Sequence, residues 1–93
     1  MENEKISEVM DILQEECAEV IQAVSKCRRF GLNNYKPGKP RTNVECLEEE
    51  IGDLLAMVDI LVENSVISLD SLQIAKQAKK EKLKVWSKIY EQN

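Results

Sequence analysis

The chain has no histidine, few turn-forming residues and few aromatic rings. Among its 93 residues are 3 glycines and 2 prolines, and aromatic residues make up 4%. No apolar run approaches the ~20 residues that a membrane-spanning helix needs. The acidic N-terminus also lacks the apolar stretch of an export signal. We therefore expect a cytoplasmic protein that does not bind membranes. The remaining composition, rich in Ala, Glu, Lys and Leu, favours helices.

The cysteines and the missing histidine restrict the kinds of metal site. Cys17, Cys27 and Cys46 form no CxxC pair, a pattern typical of reduced intracellular thiols. Structural zinc sites need clustered cysteine and histidine ligands, and di-iron sites in helical bundles need Glu-x-x-His pairs. The sequence therefore argues against both kinds of site.

Acidic and basic residues occupy separate segments beneath a net charge of −4. Residues 2–19 hold seven acids and one base, residues 20–44 six bases and no acid, and residues 45–63 seven acids and no base. Residues 76–88 hold six lysines and one glutamate. The alternation suits a site that binds a metal ion and a polyanion together, although each run alone is commonly a solvated face. An isoelectric point near 4.9 argues against nucleic-acid binding.

Apolar residues at alternating spacings of three and four predict a first helix from about Ile6 to Phe30. The repeating positions are Ile6, Met10, Leu13, Cys17, Val20, Val24 and Cys27. Gly31 follows and can supply the left-handed residue that ends many helices. Two prolines and two asparagines predict a loop of turns over residues 32–42.

The second helix is predicted from Asn43, a favourable cap, to about Asn64. Because Cys46 stands where a capping box needs glutamate, we expect the box to be incomplete. Beyond Asp53 the helix is apolar around most of its circumference, and two short neighbours could hardly cover it. We therefore expect a homo-oligomer, either a dimer or a tetramer.

A third helix is predicted from about Ser71 to Tyr90, with Ser68 or Asp70 as its cap. Its expected buried side consists of Leu72, Ala75, Leu83, Trp86 and Tyr90. The predicted fold is all-α, with one domain over residues 1–93. It is a helical hairpin plus a C-terminal helix, assembled into a four-helix-type bundle by oligomerisation.

Pairs of acids three residues apart mark both predicted hairpin helices: Glu16 and Glu19 on the first, Glu50 and Asp53 on the second. Such pairs lie on neighbouring turns of one face. Glu16 falls inside the apolar arc, Glu19 lies just past its edge, and the preceding Glu15 points away. Buried unpaired carboxylates are costly, and oxygen ligands suit Mg²⁺ or Mn²⁺. The pattern favours a metal site over a solvated acidic face, which is the commoner explanation of a single ExxE.

Basic residues follow the first helix and could clamp a polyphosphate, because Arg binds phosphate oxygens in pairs and Lys as a point charge. The candidates are Lys26, Arg28, Arg29, Lys36, Lys39 and Arg41. The alternative for each is a solvated loop residue that balances acidic neighbours. Trp86 could stack on a base, although a single tryptophan at helical spacing is more often part of a core.

Two segments carry a family resemblance: Leu13 to Ala23 (LQEECAEVIQA), continuing at Lys26 to Gly31, and Leu47 to Leu55 (LEEEIGDLL). In these segments the chain resembles the MazG-like nucleotide pyrophosphohydrolases. They belong to the all-α NTP pyrophosphatase group that also includes dimeric dUTPases. The likeness covers roughly the first two-thirds of the chain, and the third helix agrees more loosely. The gap between the two motifs is longer than in many members.

The resemblance implies that Glu16, Glu19, Glu50 and Asp53 bind Mg²⁺, with Mn²⁺ as a substitute. It implies cleavage of a nucleoside triphosphate, or its deoxy form, to the monophosphate and pyrophosphate. Glu15 and Glu19 are then the candidates for a general base. The compact form is similar to phage or stand-alone bacterial members. Two alternatives stay open: a phosphoribosyl-ATP pyrophosphohydrolase, which shares the carboxylate pattern, and a non-enzymatic helical dimerisation module.

Overall fold

A computed structural model describes residues 3–35 and 37–92 and contains three helices over these ranges. They are α1 (Glu4–Phe30), α2 (Asn43–Glu63) and α3 (Leu69–Trp86), which confirms the all-α prediction. Within the described ranges, no helix combines the length and the apolar character that crossing a membrane requires. The chain divides into two compact units, Met1–Leu61 and Val62–Asn93. The assignment of residues 1–93 to one domain stays a prediction.

Both ends of α1 are fixed by local hydrogen bonds. The side chain of Asn3 caps the start by accepting from the backbone N–H of Ile6 at 2.9 Å. At the other end the N–H of Gly31 donates to the carbonyl of Cys27 at 2.9 Å. Gly31 has φ +94° and ψ 146°, so it ends the helix as predicted. Its backbone is extended in ψ, however, and lies in a region that only glycine occupies readily.

The connection between α1 and α2 folds back on itself and joins the helices into an antiparallel hairpin. The backbone N–H of Asn43 donates to the carbonyl of Asn34 at 2.8 Å, and that of Val44 to the carbonyl of Leu32 at 2.9 Å. The buried side chain of Asn43 donates to the carbonyl of Gly31 at 2.9 Å. The start of α2 is thereby held against the end of α1.

A complete capping box begins α2, contrary to the prediction that Asn43 is the cap and that the box is incomplete. Thr42 is the cap: its hydroxyl accepts from the N–H of Glu45 at 3.2 Å. The Glu45 carboxylate accepts from the N–H of Thr42 at 2.8 Å, as the reciprocal pattern requires. The prediction was wrong by one residue because Asn43 also has a capping side chain. Here that side chain is used instead to hold Gly31.

The buried stripe of α1 differs from the predicted one at alternate positions. The buried and half-buried residues that recur at three and four are Ile6, Val9, Leu13, Glu16, Val20, Ala23 and Cys27. Met10, Cys17 and Val24, which were predicted in the stripe, are exposed in the single chain. Apolar residues cover a wider arc of α1 than one neighbouring helix can bury, so packing against α2 selects one of two overlapping stripes. On α2 the matching stripe is Asn43, Leu47, Glu50, Leu54, Met57 and Leu61.

The second unit contains α3, which is shorter and more exposed than predicted. Ser68 caps it, accepting from the N–H of Ser71 at 3.1 Å, which confirms one of the two predicted caps. The helix ends at Trp86, because Ser87 is extended and its N–H donates to the carbonyl of Leu83. No described residue of α3 is buried. The predicted buried side is therefore wrong for the single chain: Leu72 and Leu83 are half-buried, and Ala75, Trp86 and Tyr90 are exposed.

Candidate active site

Two glutamates occupy core positions in the hairpin. Glu16 lies between Leu13 and Val20 in the buried stripe of α1, and Glu50 lies between Leu47 and Leu54 in that of α2. Both side chains are half-buried. The period of the stripe calls for apolar residues there, since only apolar groups lose water without a cost. Carboxylates therefore occupy two positions at which apolar side chains would pack at a lower cost in free energy.

Because the helices are antiparallel, these glutamates meet across the hairpin together with Asp53. One carboxylate oxygen from each of Glu16, Glu50 and Asp53 lies within 4.8 Å of the other two. We call these three residues the carboxylate cluster. The Oε2 atom of Glu16 is buried and has no hydrogen-bond partner among the described residues. A buried oxygen without a partner costs free energy, so its position needs a compensating ligand.

The electrostatics of the carboxylate cluster also favour the binding of a cation. Burial raises the pKa of Glu16 above its ordinary value, and the negative charges of Asp53, Glu19 and Glu15 raise it further, in that order. Burial also raises the pKa of Glu50, followed by the charges of Glu19, Asp53, Glu16 and Glu49. Like charges that share a partly desolvated site disfavour full ionisation. A divalent cation would remove this cost, and an all-oxygen donor set is what Mg²⁺ and Mn²⁺ prefer.

A cavity of about 380 Å³ lies beside the cluster and brings acids and bases together. We call it the charged cavity. Its acidic lining residues are Glu19, Glu49 and Glu50, and its basic ones are Lys26, Lys39 and Arg41. Gln22, Ala23, Pro40, Asn43 and Cys46 complete the lining. A cavity lined by both carboxylates and basic side chains can accept a metal ion and a polyphosphate at once.

Arg41 is held at this cavity by a two-point contact with Glu49. Its Nη1 donates to Oε2 at 3.1 Å, and its Nη2 lies 2.9 Å from Oε1. The hydrogen bond and the charge of Glu49 raise the pKa of Arg41 above its ordinary value. The planar guanidinium is therefore oriented at the edge of the cavity before any ligand binds.

The MazG nucleotide pyrophosphohydrolase domain matches residues 4–84. The chain belongs to the MazG nucleotide pyrophosphohydrolase family. Neither the curated proteins nor the solved structures gave a match. Family membership supports nucleotide pyrophosphohydrolase activity in general, with a nucleotide as the substrate.

The acids predicted for the MazG site fall into three groups. Glu16, Glu50 and Asp53 form the carboxylate cluster. Glu19 is outside that group of three, but it lines the charged cavity with Glu50, and its charge acts on both Glu16 and Glu50. Glu15 is exposed and does not line the cavity, although its charge contributes to the pKa of Glu16.

The predicted phosphate-binding residues also separate. Lys26, Lys39 and Arg41 line the charged cavity, whereas Arg28 and Arg29 do not. The guanidinium of Arg29 instead lies over the ring of Phe30, 4.9 Å from its centre. Lys36 lies outside the described residues. Trp86 belongs to the second unit, and 82% of it is exposed.

Six lining residues were not predicted as site residues, and apart from Ala23 and Pro40 they carry polar groups: Gln22, Asn43, Cys46 and Glu49. Helical spacing could have found three of them. Gln22 follows Glu19 by three residues, and Cys46 precedes Glu49 and Glu50 by three and four, so each lies on the face of its acidic neighbours. Asn43 could not be found this way, because its role depends on a contact with Gly31 across the connection.

Proposed function

We propose that this chain hydrolyses nucleoside triphosphates, including deoxynucleotides, to the monophosphate and pyrophosphate, using Mg²⁺ as its cofactor. The observation that carries the proposal is the carboxylate cluster, in which two helices place three carboxylates within 4.8 Å. One of its oxygens is buried without a partner. If the acids only formed a solvated face, carboxylates would not be expected at core positions of both helices.

The residues present fit a divalent ion. Glu16, Glu50 and Asp53 would hold it, with Glu19 as a fourth ligand or as the general base. When bound, Mg²⁺ neutralises charge on the carboxylates and phosphate oxygens and lowers the pKa of a bound water. Mn²⁺ prefers the same oxygen donors and should substitute.

Glu19 is the better candidate for the general base than Glu15. It lines the charged cavity beside Glu50 but is not one of the three clustered carboxylates. Its carboxylate can therefore accept a proton from the attacking water while the cluster holds the metal ion. Glu15 is exposed, and its contribution would be confined to the electrostatics of Glu16.

Lys26, Lys39 and Arg41, the basic residues that line the charged cavity, would bind the phosphate oxygens. Positive groups fixed near the leaving pyrophosphate stabilise the charge that develops as the anhydride bond breaks. Glu49 contributes by holding the Arg41 guanidinium in place, so less side-chain entropy is lost when phosphate binds. Whether Lys36 takes part stays a prediction from the sequence.

A homo-oligomer is the second part of this proposal. Large apolar residues remain exposed on α1 and α2 of the first unit: Met10, Ile21, Val24, Ile51 and Leu55. Ile21 and Val24 are three residues apart and Ile51 and Leu55 four apart, so each pair shares a face of its helix. Exposed apolar patches commonly mark an interface, and a second copy of the chain is the occupant we propose. Light scattering at several concentrations should give the mass of a dimer or tetramer. A monomer of 10.7 kDa at all concentrations would contradict this part.

The activity is tested with a panel of NTPs, dNTPs and phosphoribosyl-ATP in the presence of Mg²⁺, with pyrophosphate release as the readout. We expect turnover by the wild type and its loss in Glu16→Gln and Asp53→Asn. Glu19→Gln should lower kcat by about 10²–10⁴-fold, the usual contribution of a general base. Glu48→Gln is the matched control, because Glu48 is an exposed acid of α2 outside the cluster and the cavity.

The outcomes separate the alternatives. Turnover of phosphoribosyl-ATP alone would assign the chain to histidine synthesis rather than to the general nucleotide pool. No turnover of any compound, with the folded state of Glu16→Gln as stable as that of the wild type with or without Mg²⁺, would favour a non-enzymatic dimerisation module.

A further inference from the structure

A second cavity in the first unit has a different lining. Its volume is about 530 Å³, and it is lined by Lys26, Phe30, Asn34, Tyr35, Pro37 and Asn43. We call it the aromatic cavity. It is formed by the end of α1, the connection that follows and the first residue of α2. Its volume is in the range of small-molecule sites, which are largely apolar with a few polar groups.

The aromatic cavity adjoins the charged cavity, because Lys26 and Asn43 line both. A ligand that spans the two needs a polyanionic end and a flat, largely apolar end. Nucleoside triphosphates have this construction. We propose that the aromatic cavity binds the base of the substrate, with the triphosphate in the charged cavity. This inference rests on the proposed function and adds a subsite that selects for nucleotides over plain polyphosphates.

The side chains of the aromatic cavity supply the required chemistry. Phe30 and Tyr35 are 50% and 64% exposed, so a ligand can reach their rings. A base stacked on an aromatic side chain typically gains enough to change affinity by about tenfold or more. The amide nitrogen of Asn34 donates to the backbone carbonyl of Phe30, which holds this side chain at the end of α1. Its amide oxygen is an acceptor that can meet a base edge.

The surroundings hold Phe30 and Tyr35 in place without filling the cavity. The Arg29 guanidinium lies over the Phe30 ring, an arrangement that restricts the ring. The backbone of Tyr35 forms an antiparallel bridge with Thr42, the cap of α2. The bridge uses only the backbone of Tyr35, and both rings are at least half exposed, so substituting either ring should leave the hairpin folded.

The test measures binding of two ligands by calorimetry in Mg²⁺: a non-hydrolysable α,β-imido nucleoside triphosphate and inorganic tripolyphosphate. We expect Tyr35→Ala and Phe30→Leu to weaken nucleotide binding by about tenfold and to leave tripolyphosphate binding unchanged. Tyr35→Phe should restore the nucleotide affinity. Leu32→Ala is the matched control, since Leu32 is an exposed apolar residue of the same connection that lines neither cavity.

Several results would overturn the inference. Unchanged nucleotide affinity in both ring variants would do so, as would an equal loss of tripolyphosphate affinity. A loss of nucleotide affinity seen only in Trp86→Ala would assign the base to Trp86 instead. Pyrophosphate release by the wild type is measured on the same preparation and tests the proposed function separately. If the wild type turns over nucleotides and the ring variants bind them with unchanged affinity, only the base subsite is refuted.

Discussion

The carboxylate cluster predicts that Mg²⁺ stabilises the fold and that Glu16→Gln abolishes this stabilisation. Without metal, the charges of the cluster oppose folding, because the pKa values of Glu16 and Glu50 are raised in the folded state. The native state then binds more protons than the unfolded one, so metal-free stability falls as the pH rises from the ordinary glutamate pKa through the raised value. Above the raised pKa values this cost is present in full, and a bound metal ion would relieve it.

The size of the effect follows from linkage. A ligand that binds only the native state at a hundredfold excess over its Kd stabilises that state by about 2.7 kcal/mol. For a chain of 93 residues, each kcal/mol raises Tm by about 4–8 °C. We therefore expect Mg²⁺ at that excess to raise the Tm of the wild type by about 10–20 °C. Because Glu16→Gln removes one of the three clustered carboxylates, its Tm should respond much less.

The assay is thermal unfolding followed by circular dichroism at neutral pH and at one protein concentration, with and without Mg²⁺. Without Mg²⁺, Glu16→Gln should be at least as stable as the wild type, because a partly buried charge is removed. With Mg²⁺ the order should reverse. Glu48→Gln makes the same change of charge outside the cluster and should respond to Mg²⁺ as the wild type does. An equal response of wild type and Glu16→Gln would refute the assignment of the metal site to this cluster.

Three further predictions concern the scaffold that positions the site. Gly31→Ala should destabilise the fold by about 1–3 kcal/mol, since φ is +94° and the new Cβ would meet Nδ2 of Asn34 at 3.0 Å; urea unfolding measures this. Gly52 lies within α2, and a Cβ added there would meet no atom within 4 Å. Gly52→Ala should therefore stabilise the folded state by about 0.5–1 kcal/mol. A loss of stability in urea unfolding would contradict this. Thr42→Ala should cost about 1 kcal/mol at neutral pH through loss of the capping box. The backbone N–H of Thr42 and, second, its hydroxyl donate to the Glu45 carboxylate and lower the pKa of Glu45. Thr42→Ala removes only the hydroxyl, so only that part of the cost is present above the ordinary pKa and is lost as the pH falls through the lowered value. A difference between Thr42→Ala and wild type that does not shrink at all in acid would contradict the account.

Much of the fold could be predicted because helix formation depends mainly on residues that are close together in the sequence. Spacings of three and four located α1 and α2, and Gly31 and Ser68 were recognisable as an end and a cap. The cap of α2 was missed for a local reason as well: Thr42 and Asn43 both have capping side chains. The choice between them depends on the carbonyl of Gly31, twelve residues away in sequence.

The third helix shows that a local apolar pattern predicts a helix but not which of its side chains are buried. Its apolar residues predicted a buried side that included Trp86, but exposure is set by what packs on a helix and not by the helix itself. In the single chain Trp86 is largely exposed. The prediction that it contacts the substrate stays a prediction, and the aromatic cavity offers Phe30 and Tyr35 for the same role.

By itself the sequence determined the helices, the charge segregation and the two acid pairs, since each depends on residues within a few turns of one another. The pairing of residues from different helices was decided only by the tertiary structure. Packing against α2 selected the stripe of α1 that contains Glu16 over the stripe that contains Cys17, because one helix can bury only one of two overlapping stripes. The same packing set Glu16 against Glu50 and Asp53. The connection brought Arg41 to Glu49, eight residues away, through a turn whose geometry no local pattern specifies.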